Sequence, residues 1–308
     1  MYIEEIDREG RVKERIVYRN RAFHYGLYTT PEHAPDFNEF PWHWHKDFEF
    51  GLVLSGKILY KTNYQEFLLE AGDGVFINAG VLHTLVPADN PSEIRLQSQF
   101  FDRAFLAGEA GSAFDIRYVL PVLEQKRLDA VPVYGARPEN RSFLGLLRQA
   151  LVVGAEEDAF YELRLRSLFS SLWEQVYCWA TDEQMTLGDY NAQEDHRIKQ
   201  ILAYIQEHYG EKLTVRDMAA TGHISQRECY RLFQRRLDMT PIEYLVSFRL
   251  QCARQLLLES EKSVLEIALE TGFGTSSYLG KVLKQHCGLS PREYRARYCG
   301  APDKRAIP

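Results

Sequence analysis

Between Phe23 and about Phe101, apolar and polar positions alternate in short runs rich in aromatic and β-branched side chains. The runs are FEFGLVL, KILYKT, EFLLE, VFINAG, HTLVPA and EIRLQSQFF, punctuated by SGK, NYQ and AGDG. Short strands at such close spacing predict an antiparallel sandwich or barrel. The stretch 102–141 is mixed and predicts a connection with a short helix near 118–126. From 142 to 180 the period becomes helical. Leu165, Leu168, Phe169, Leu172, Trp173, Val176, Tyr177 and Ala180 draw one apolar stripe about four turns long, and Phe143, Leu144, Leu147 and Leu151 mark a second helix over 143–153. Two uses of the longer stripe stand open: packing on the sheet, or a homodimer surface. The polar, acidic segment TDEQMTLGDYNAQEDH, 181–196, reads as a linker. Everything beyond it is helical.

In that last part, capping signatures follow one another: Thr214 with Asp217, Ser225 with Glu228, Thr240 with Glu243, Ser263 with Glu266 and Ser290 with Glu293. In each, a hydroxyl at the N-cap and a carboxylate three residues on satisfy the free N–H groups of a helix start. They cut the region into short helices at 195–209, 215–221, 226–237, 241–258, 264–271, 276–287 and 291–298. The region also repeats. Met218 and Ala219 match Ile267 and Ala268 at an offset of 49, while Cys229, Leu232, Phe233, Pro241 and Tyr244 match Leu279, Val282, Leu283, Pro291 and Tyr294 at 50. Each unit is helix, tight turn, helix, the turns lying at Gly222-His223 and Gly272-Phe273.

Charge gives the repeat a partner. The whole chain of 308 residues carries 37 Lys and Arg against 43 Asp and Glu, a net −6, which by itself says little. From His196 onward, however, there are 18 basic and 12 acidic residues, a net +6, and the rest of the chain holds 19 and 31, a net −12. A basic, doubled helix-turn-helix joined to an acidic body predicts double-stranded DNA as the partner of one part only. The opposite signs further predict docking of the acidic body on the basic part until a ligand releases it. The five cysteines are odd in number, form no CxxC pair and are absent from the first 177 residues; they are no disulfide framework. With no signal-type apolar run at the start and no stretch near the ~18–20 apolar residues of a membrane span, a cytoplasmic protein with reduced, mostly buried thiols is expected.

The segments ISQRECYRLFQRRLDMTPIEYLVSFRLQCARQLLLES and SVLEIALETGFGTSSYLGKVLKQHCGLSPREYRARY resemble the DNA-binding domain of the AraC/XylS transcriptional regulators. The resemblance covers about the last 105 residues, through Phe233, Pro241, Arg249, Ala253, Leu257, Ile267, Ala268, Gly272, Phe273, Gly288, Ser290, Pro291 and Tyr294. It implies sequence-specific promoter binding, usually for activation and hence with RNA polymerase as a further partner. It also implies that the second helix of each unit enters the major groove. That directs Gln226, Arg227, Tyr230 and Arg231 of the first unit towards bases, where Arg suits guanine and Gln suits adenine. Thr275, Ser276, Ser277 and Lys281 take the matching positions of the second. Arg235, Arg236 and Lys284, at the far ends, are phosphate candidates. Gly280 and Leu283 depart from the family, which usually has a polar residue and Phe there, so the second unit is expected to hold phosphate more than it reads bases.

In the N-terminal part, FPWHWHKDFEFGLVLSG and AGDGVFINAGVLH place His43, His45, Glu49, Gly56, Gly72, Gly80 and His83. They resemble the two motifs of the cupin fold, a small jelly roll in which His, His and Glu from one motif meet a His from the other at a metal. His43, His45 and Glu49 share strand parity if the chain stays extended, and imidazole with carboxylate suits divalent Mn, Fe, Ni or Zn. The alternative keeps the same residues, with Tyr60, as a polar pocket for an organic effector, sugars leading because the family often senses them. Asn78 stands where the second motif usually has Pro, and Pro87 where it usually has Asn. Of the aromatics nearby, Trp42, Trp44, Phe48, Phe50, Tyr60, Tyr64 and Phe76, some are core and a few suit the barrel mouth.

The expected architecture is α+β and multidomain: a cupin-type β-barrel at 1–140, a helical dimerisation segment at 141–180, a linker at 181–195 and an all-α domain with two helix-turn-helix motifs at 196–300. The function that fits is a ligand-responsive, homodimeric regulator of transcription that is no enzyme. Two rivals are a metal-dependent cupin oxygenase or isomerase fused to a helix-turn-helix domain, and a regulator switched by a protein partner.

Overall fold

The aromatic and β-branched runs do form strands. The computed structural model describes residues 3–6, 12–15, 18, 20, 22–29, 40–90, 93–183 and 190–298. In it β1 (Ile3–Ile6) and β2 (Val12–Arg15) make a small sheet of their own. Nine further strands follow: β3 (Tyr25–Thr29), β4 (Phe40–His43), β5 (Phe48–Ser55), β6 (Lys57–Thr62), β7 (Glu66–Glu70), β8 (Gly74–Ile77), β9 (His83–Pro87), β10 (Arg95–Phe101) and β11 (Ala130–Val133). They pair antiparallel in a five-stranded sheet, β11-β8-β5-β10-β3, and a four-stranded one, β4-β9-β6-β7. Val53, Ile58, Tyr60, Phe67, Leu69, Val75, Ile77, Leu85 and Leu96, drawn from both sheets, pack into one interior cluster. This is the barrel.

Because successive residues of a strand face opposite ways, the five-stranded sheet has a second apolar face. Phe48, Phe50, Leu52, Phe76 and Phe101 point away from the interior and are covered by α1 (Arg103–Ala107), α2 (Leu120–Glu124), α3 (Arg141–Glu156) and α4 (Tyr161–Thr181). This settles the longer stripe. Leu165, Phe169, Leu172, Trp173, Val176 and Ala180 are all buried in that cluster, with Leu168 and Tyr177 half-buried at its margin. Its buried residues are core and no dimer surface, because a sheet with aromatics on both faces needs two covers. The 141–180 segment is therefore part of the N-terminal unit.

The stretch 102–141 holds more structure than its pattern predicts. A π-helical turn (Asp115–Val119) runs into α2, within the expected helical region, and β11 adds an edge strand beside β8. Four residues with a central Pro132 leave no periodic signal, and an edge is where a strand tolerates proline.

The chain divides into two units, one extending to Ala192 and the other taking Gln193 onward. The second begins with α5 (Ala192–His208), so the helix starts inside the segment read as linker; 184–189 of that segment, Cys299 and the end of the last domain lie outside the described residues. Then come α6 (Val215–Thr221), α7 (Gln226–Leu237), α8 (Pro241–Glu259), α9 (Val264–Glu270), α10 (Ser276–Cys287) and α11 (Pro291–Tyr298). Full capping boxes stand at Thr214, Thr240 and Ser263. Of the described cysteines, Cys229 and Cys252 are buried, Cys287 is half-buried, Cys178 is exposed, and all four are free thiols.

Asp129, just before β11, is buried yet accepts hydrogen bonds from Thr62 (2.5 Å), the Ala130 amide (2.6 Å) and Gln65. Burial dominates and pushes its carboxyl up to about 6. A carboxyl that holds its proton more tightly when folded costs stability as pH rises past its unfolded value, so the fold loses stability from about pH 4 to 6 through this group, on the order of 3 kcal/mol. Asp129→Asn should remove that slope. Denaturant melts of both proteins across this range, compared as a difference, check it.

Candidate metal centre and DNA-binding helices

The four cupin-motif residues meet inside the barrel, though not through the expected parity. The chain does not stay extended: β4 ends at His43, the backbone bends at Lys46 and Asp47, and β5 begins at Phe48 in the other sheet. His43 and His83 face each other as register partners on β4 and β9, His45 sits on the bend, and Glu49 comes from the opposite sheet. All four are buried, none more than 4% exposed. Ligand atoms of the three histidines lie within 4.8 Å of one another. Glu49 Oε2 is 3.5 Å from Nε2 of both His45 and His83.

Hydrogen bonding fixes which nitrogens face inward. His45 Nδ1 is 2.8 Å from the Asp47 carbonyl and His83 Nδ1 2.9 Å from the Val81 carbonyl. A carbonyl only accepts, so Nδ1 carries the proton and Nε2 presents a lone pair. Those two Nε2 atoms and Glu49 Oε2 are buried and make no hydrogen bond. Burial lowers His45, with His83 adding to the effect, against the opposing pull of Glu49. A buried carboxylate oxygen facing imidazole lone pairs is a cluster of acceptors without a donor, which a cation resolves. Four-coordinate zinc bonds of 2.0–2.1 Å place donors roughly 3.3 Å apart, close to the 3.5 Å observed here. The residues fit a divalent metal.

Tyr60, on β6, is fully buried in the same interior. Burial and the nearby Glu49 charge hold its phenol well above the usual range, so it remains a neutral hydroxyl. The other aromatics mostly serve elsewhere. Phe48, Phe50 and Phe76 pack under the helices, and the Tyr64 hydroxyl donates to the Asn191 carbonyl at 3.1 Å. Asn78, the departure from the cupin motif, is structural: its amide donates to the carbonyls of Val122 (3.0 Å) and Leu128 (2.9 Å) and its oxygen accepts from the Ala79 amide. It ties the barrel to the α2 region.

In the second unit the repeat is real in three dimensions. The Tyr244 hydroxyl accepts from Gln206, and fifty residues on the Tyr294 hydroxyl accepts from Arg254. Arg249, one of the family-matching residues, donates to the carbonyls of Tyr209 (2.7 Å) and Glu211 (2.6 Å), which closes the end of α5. Gly272 sits under it with φ +74°, and a Cβ there would come within 2.6 Å of the Tyr209 carbonyl oxygen. Both conformation and space require glycine.

The helices α7 and α10 present most of the predicted DNA residues. Gln226, Arg227, Tyr230 and Arg231 are exposed on α7, and Ser276, Ser277, Lys281 and Lys284 on α10. Thr275 is exposed too, but its hydroxyl accepts from the Tyr278 amide as the N-cap of α10, so it shapes the helix start. The far end of α7 corrects the sequence reading. Arg236 is 8% exposed in its side chain and bonded to Glu194 at 2.6 Å, which takes it out of the phosphate set. Arg235 is shared between Glu194 (3.1 Å) and Glu228 (3.5 Å). Glu194 was hidden in an acidic stretch read as solvated linker. Glu228, which also lies 3.2 Å from Arg231, and Tyr278, 44% exposed on α10, belong to the same outward faces and occupy equivalent places at the offset of 50. The repeat alignment was the signal that would have found them.

Comparison with known proteins agrees with both halves. Residues 24–172 match the family model of an AraC-like ligand binding domain, and residues 218–297 that of a helix-turn-helix domain. An uncharacterised HTH-type transcriptional regulator, YdeC of Bacillus subtilis, is 26% identical over 93% of this chain and 97% of its own. The HTH-type transcriptional activator RhaS of Klebsiella pneumoniae is 26% identical over 83% and 87%. Among solved structures, a transcriptional regulator of the AraC-type DNA-binding class from Chromobacterium violaceum is 30% identical over 36% of this chain and 99% of its own, with a TM-score of 0.34. ToxT from Vibrio cholerae is 15% identical over 91% and 100%, with a TM-score of 0.47. With a ligand-binding domain at one end and a DNA-binding domain at the other, the chain belongs to the AraC family of transcriptional regulators.

Proposed function

We propose that this regulator is a cytoplasmic, homodimeric activator without enzymatic activity, whose barrel holds a divalent metal and whose two helix-turn-helix units read neighbouring stretches of major groove. The observation that carries the reading is the doubled, capped helix pair with Gln226, Arg227, Tyr230 and Arg231 exposed on its first recognition helix. Among the described residues no helix is long and apolar enough to cross a membrane. Activation, with RNA polymerase as partner, follows the names of the RhaS relatives, and the curated relatives that span the chain are regulators of transcription, which speaks against an oxygenase or isomerase. The α8 helix, 19 residues from Pro241 to Glu259, is about 28 Å long, near the ~34 Å pitch of DNA.

His43, His45, Glu49 and His83 hold the ion. Bound there, it supplies a cross-link between β4, β5 and β9 and a positive charge against the Glu49 carboxylate. The backbone carbonyls of Asp47 and Val81 keep the two imidazoles in the ligand tautomer. Dimerisation belongs to the outer side of α3 and α4, where a groove lined by Arg148, Val152, Glu156, Arg164 and Leu168 has a volume of about 560 Å³. Val152 on it is 54% exposed and the neighbouring Leu163 70%.

Three outcomes are expected. Selection from a random DNA library should show preference lost at particular bases in Arg227→Ala and Arg231→Ala, each worth about 1–3 kcal/mol of discrimination; Arg236→Ala should instead lower thermal stability and leave base preference intact. Protein purified without a histidine tag should carry about one divalent ion per chain by elemental analysis, and His45→Ala should lose it with a fall in melting temperature that added metal no longer reverses. In gel filtration the double variant Val152→Asp, Leu163→Asp should run as a folded monomer, whereas Leu172→Asp, fully buried, should fail to fold.

A further inference from the structure

The surroundings of the tetrad restrict what can occupy it. Val53, Ile58, Leu69, Val75 and Ile77 line the interior from both sheets, each no more than 1% exposed. Apart from the tetrad, the polar groups that strand parity places on the inward faces of the described residues are Tyr28, Tyr60, Thr62 and Ser98, and the Thr62 hydroxyl is already given to Asp129. A sugar carries a hydroxyl on nearly every carbon and needs a partner for each one buried. The Val, Ile and Leu side chains provide none, and the few hydroxyls among them fall short of that number. Three imidazoles and a carboxylate around one point ask for a small cation instead.

The same strands connect that point to the helices. On β5, Glu49 faces inward between Phe48 and Phe50, which face outward: the Phe48 ring lies 4.8 Å from Trp173, and the Phe50 ring 5.5 Å from Phe169. On β10, Phe100 meets the His45 ring edge-on at 5.1 Å, and its neighbour Phe101 meets Phe169 edge-on at 4.7 Å. Trp173 and Phe169 are both on α4, the last helix of the first unit before the chain enters the DNA-binding unit. Glu49, and Phe100 where it meets His45, each thus have an aromatic contact to α4 one residue away, through a rigid peptide plane.

We infer that a divalent d-block ion bound by His43, His45, Glu49 and His83 is itself the effector, and that β5 and β10 carry its arrival to α4 through Phe48, Phe50 and Phe101. The inference rests on the metal reading of the tetrad. The physical source of the response is that the donors belong to separate elements of both sheets. The donors come from β4, the bend after it, β5 and β9. An ion that binds all four therefore favours the arrangement that holds those strands together, and it shifts the population by that difference in affinity. The interior cannot absorb the movement silently, since a close-packed core passes displacement on to its neighbours.

The test uses the full-length protein stripped of metal with a chelator, Zn²⁺ and Mn²⁺ as the probes, and a DNA site selected by the protein from a random library with and without ion. Ion binding is measured by calorimetry, and DNA affinity by fluorescence anisotropy. Amide exchange is followed along α4. The expected result is one ion bound per chain, an affinity for DNA changed about tenfold, and added protection along Tyr161–Thr181. Glu49→Gln should lose both binding and response. Phe101→Leu, and Phe100→Leu should the first fail to fold, should bind the ion as before and lose most of the change in DNA affinity. An ion that binds with DNA affinity unmoved overturns the inference and leaves the metal site standing. A full response in a folded Phe101→Leu or Phe100→Leu protein overturns the route through β10. No ion retained by the stripped and reloaded protein removes the metal reading itself, and the effector role with it.

Discussion

The period of two in a β-strand is the constraint on which the N-terminal unit depends. A strand buried on one face can discard its other face to solvent, but β5, β8 and β10 bury both. Their inward residues close the barrel and carry Glu49, while their outward residues, Phe48, Phe50, Phe76 and Phe101, form a slab that no barrel can cover. Two long helices must lie on it. The position of α4, the fate of its apolar stripe and the depth of the tetrad all follow from that single alternation.

The second unit obeys a different economy. Its two halves share a scaffold built from small, repeated devices: a hydroxyl cap at each helix start, a tyrosine hydroxyl bonded back to an earlier helix, and an arginine spent on the carbonyls at a helix end. Scaffold of this kind constrains the inward residues and leaves the outward ones free to diverge. Hence α7 shows Gln226, Arg227 and Arg231 while its counterpart α10 shows Ser276, Ser277 and Lys281. The unit so presents two chemically distinct outward helix faces.

Much of this was legible in the sequence. The helices of the second unit fell where their caps placed them, since capping is a local interaction and leaves a local signature. The motif resemblance named four residues that the structure brings together, but not through the shared parity of His43, His45 and Glu49, which dissolves at the bend through Lys46 and Asp47; they meet because the chain changes sheets. The stripe on α4 was visible, but not its partner, because periodicity reports that a face is buried and not what buries it. β11 and the bond from Glu194 to Arg236 were out of reach for the same kind of reason. Each is created by a partner distant in sequence, Ile77 to Gly74 for the strand and a carboxylate 42 residues upstream for the arginine.

That carboxylate changes how the basic domain presents itself to a polyanion. When DNA binds, cations condensed on the phosphates are released in proportion to the protein charges that replace them, and this release drives much of the affinity. Arg236 enters with its charge already met by Glu194, and Arg235 with two carboxylates, Glu194 and Glu228, beside it. The net +6 of the region therefore overstates the number of ions it can displace. The end of α7 has exchanged part of its electrostatic pull for a fixed orientation.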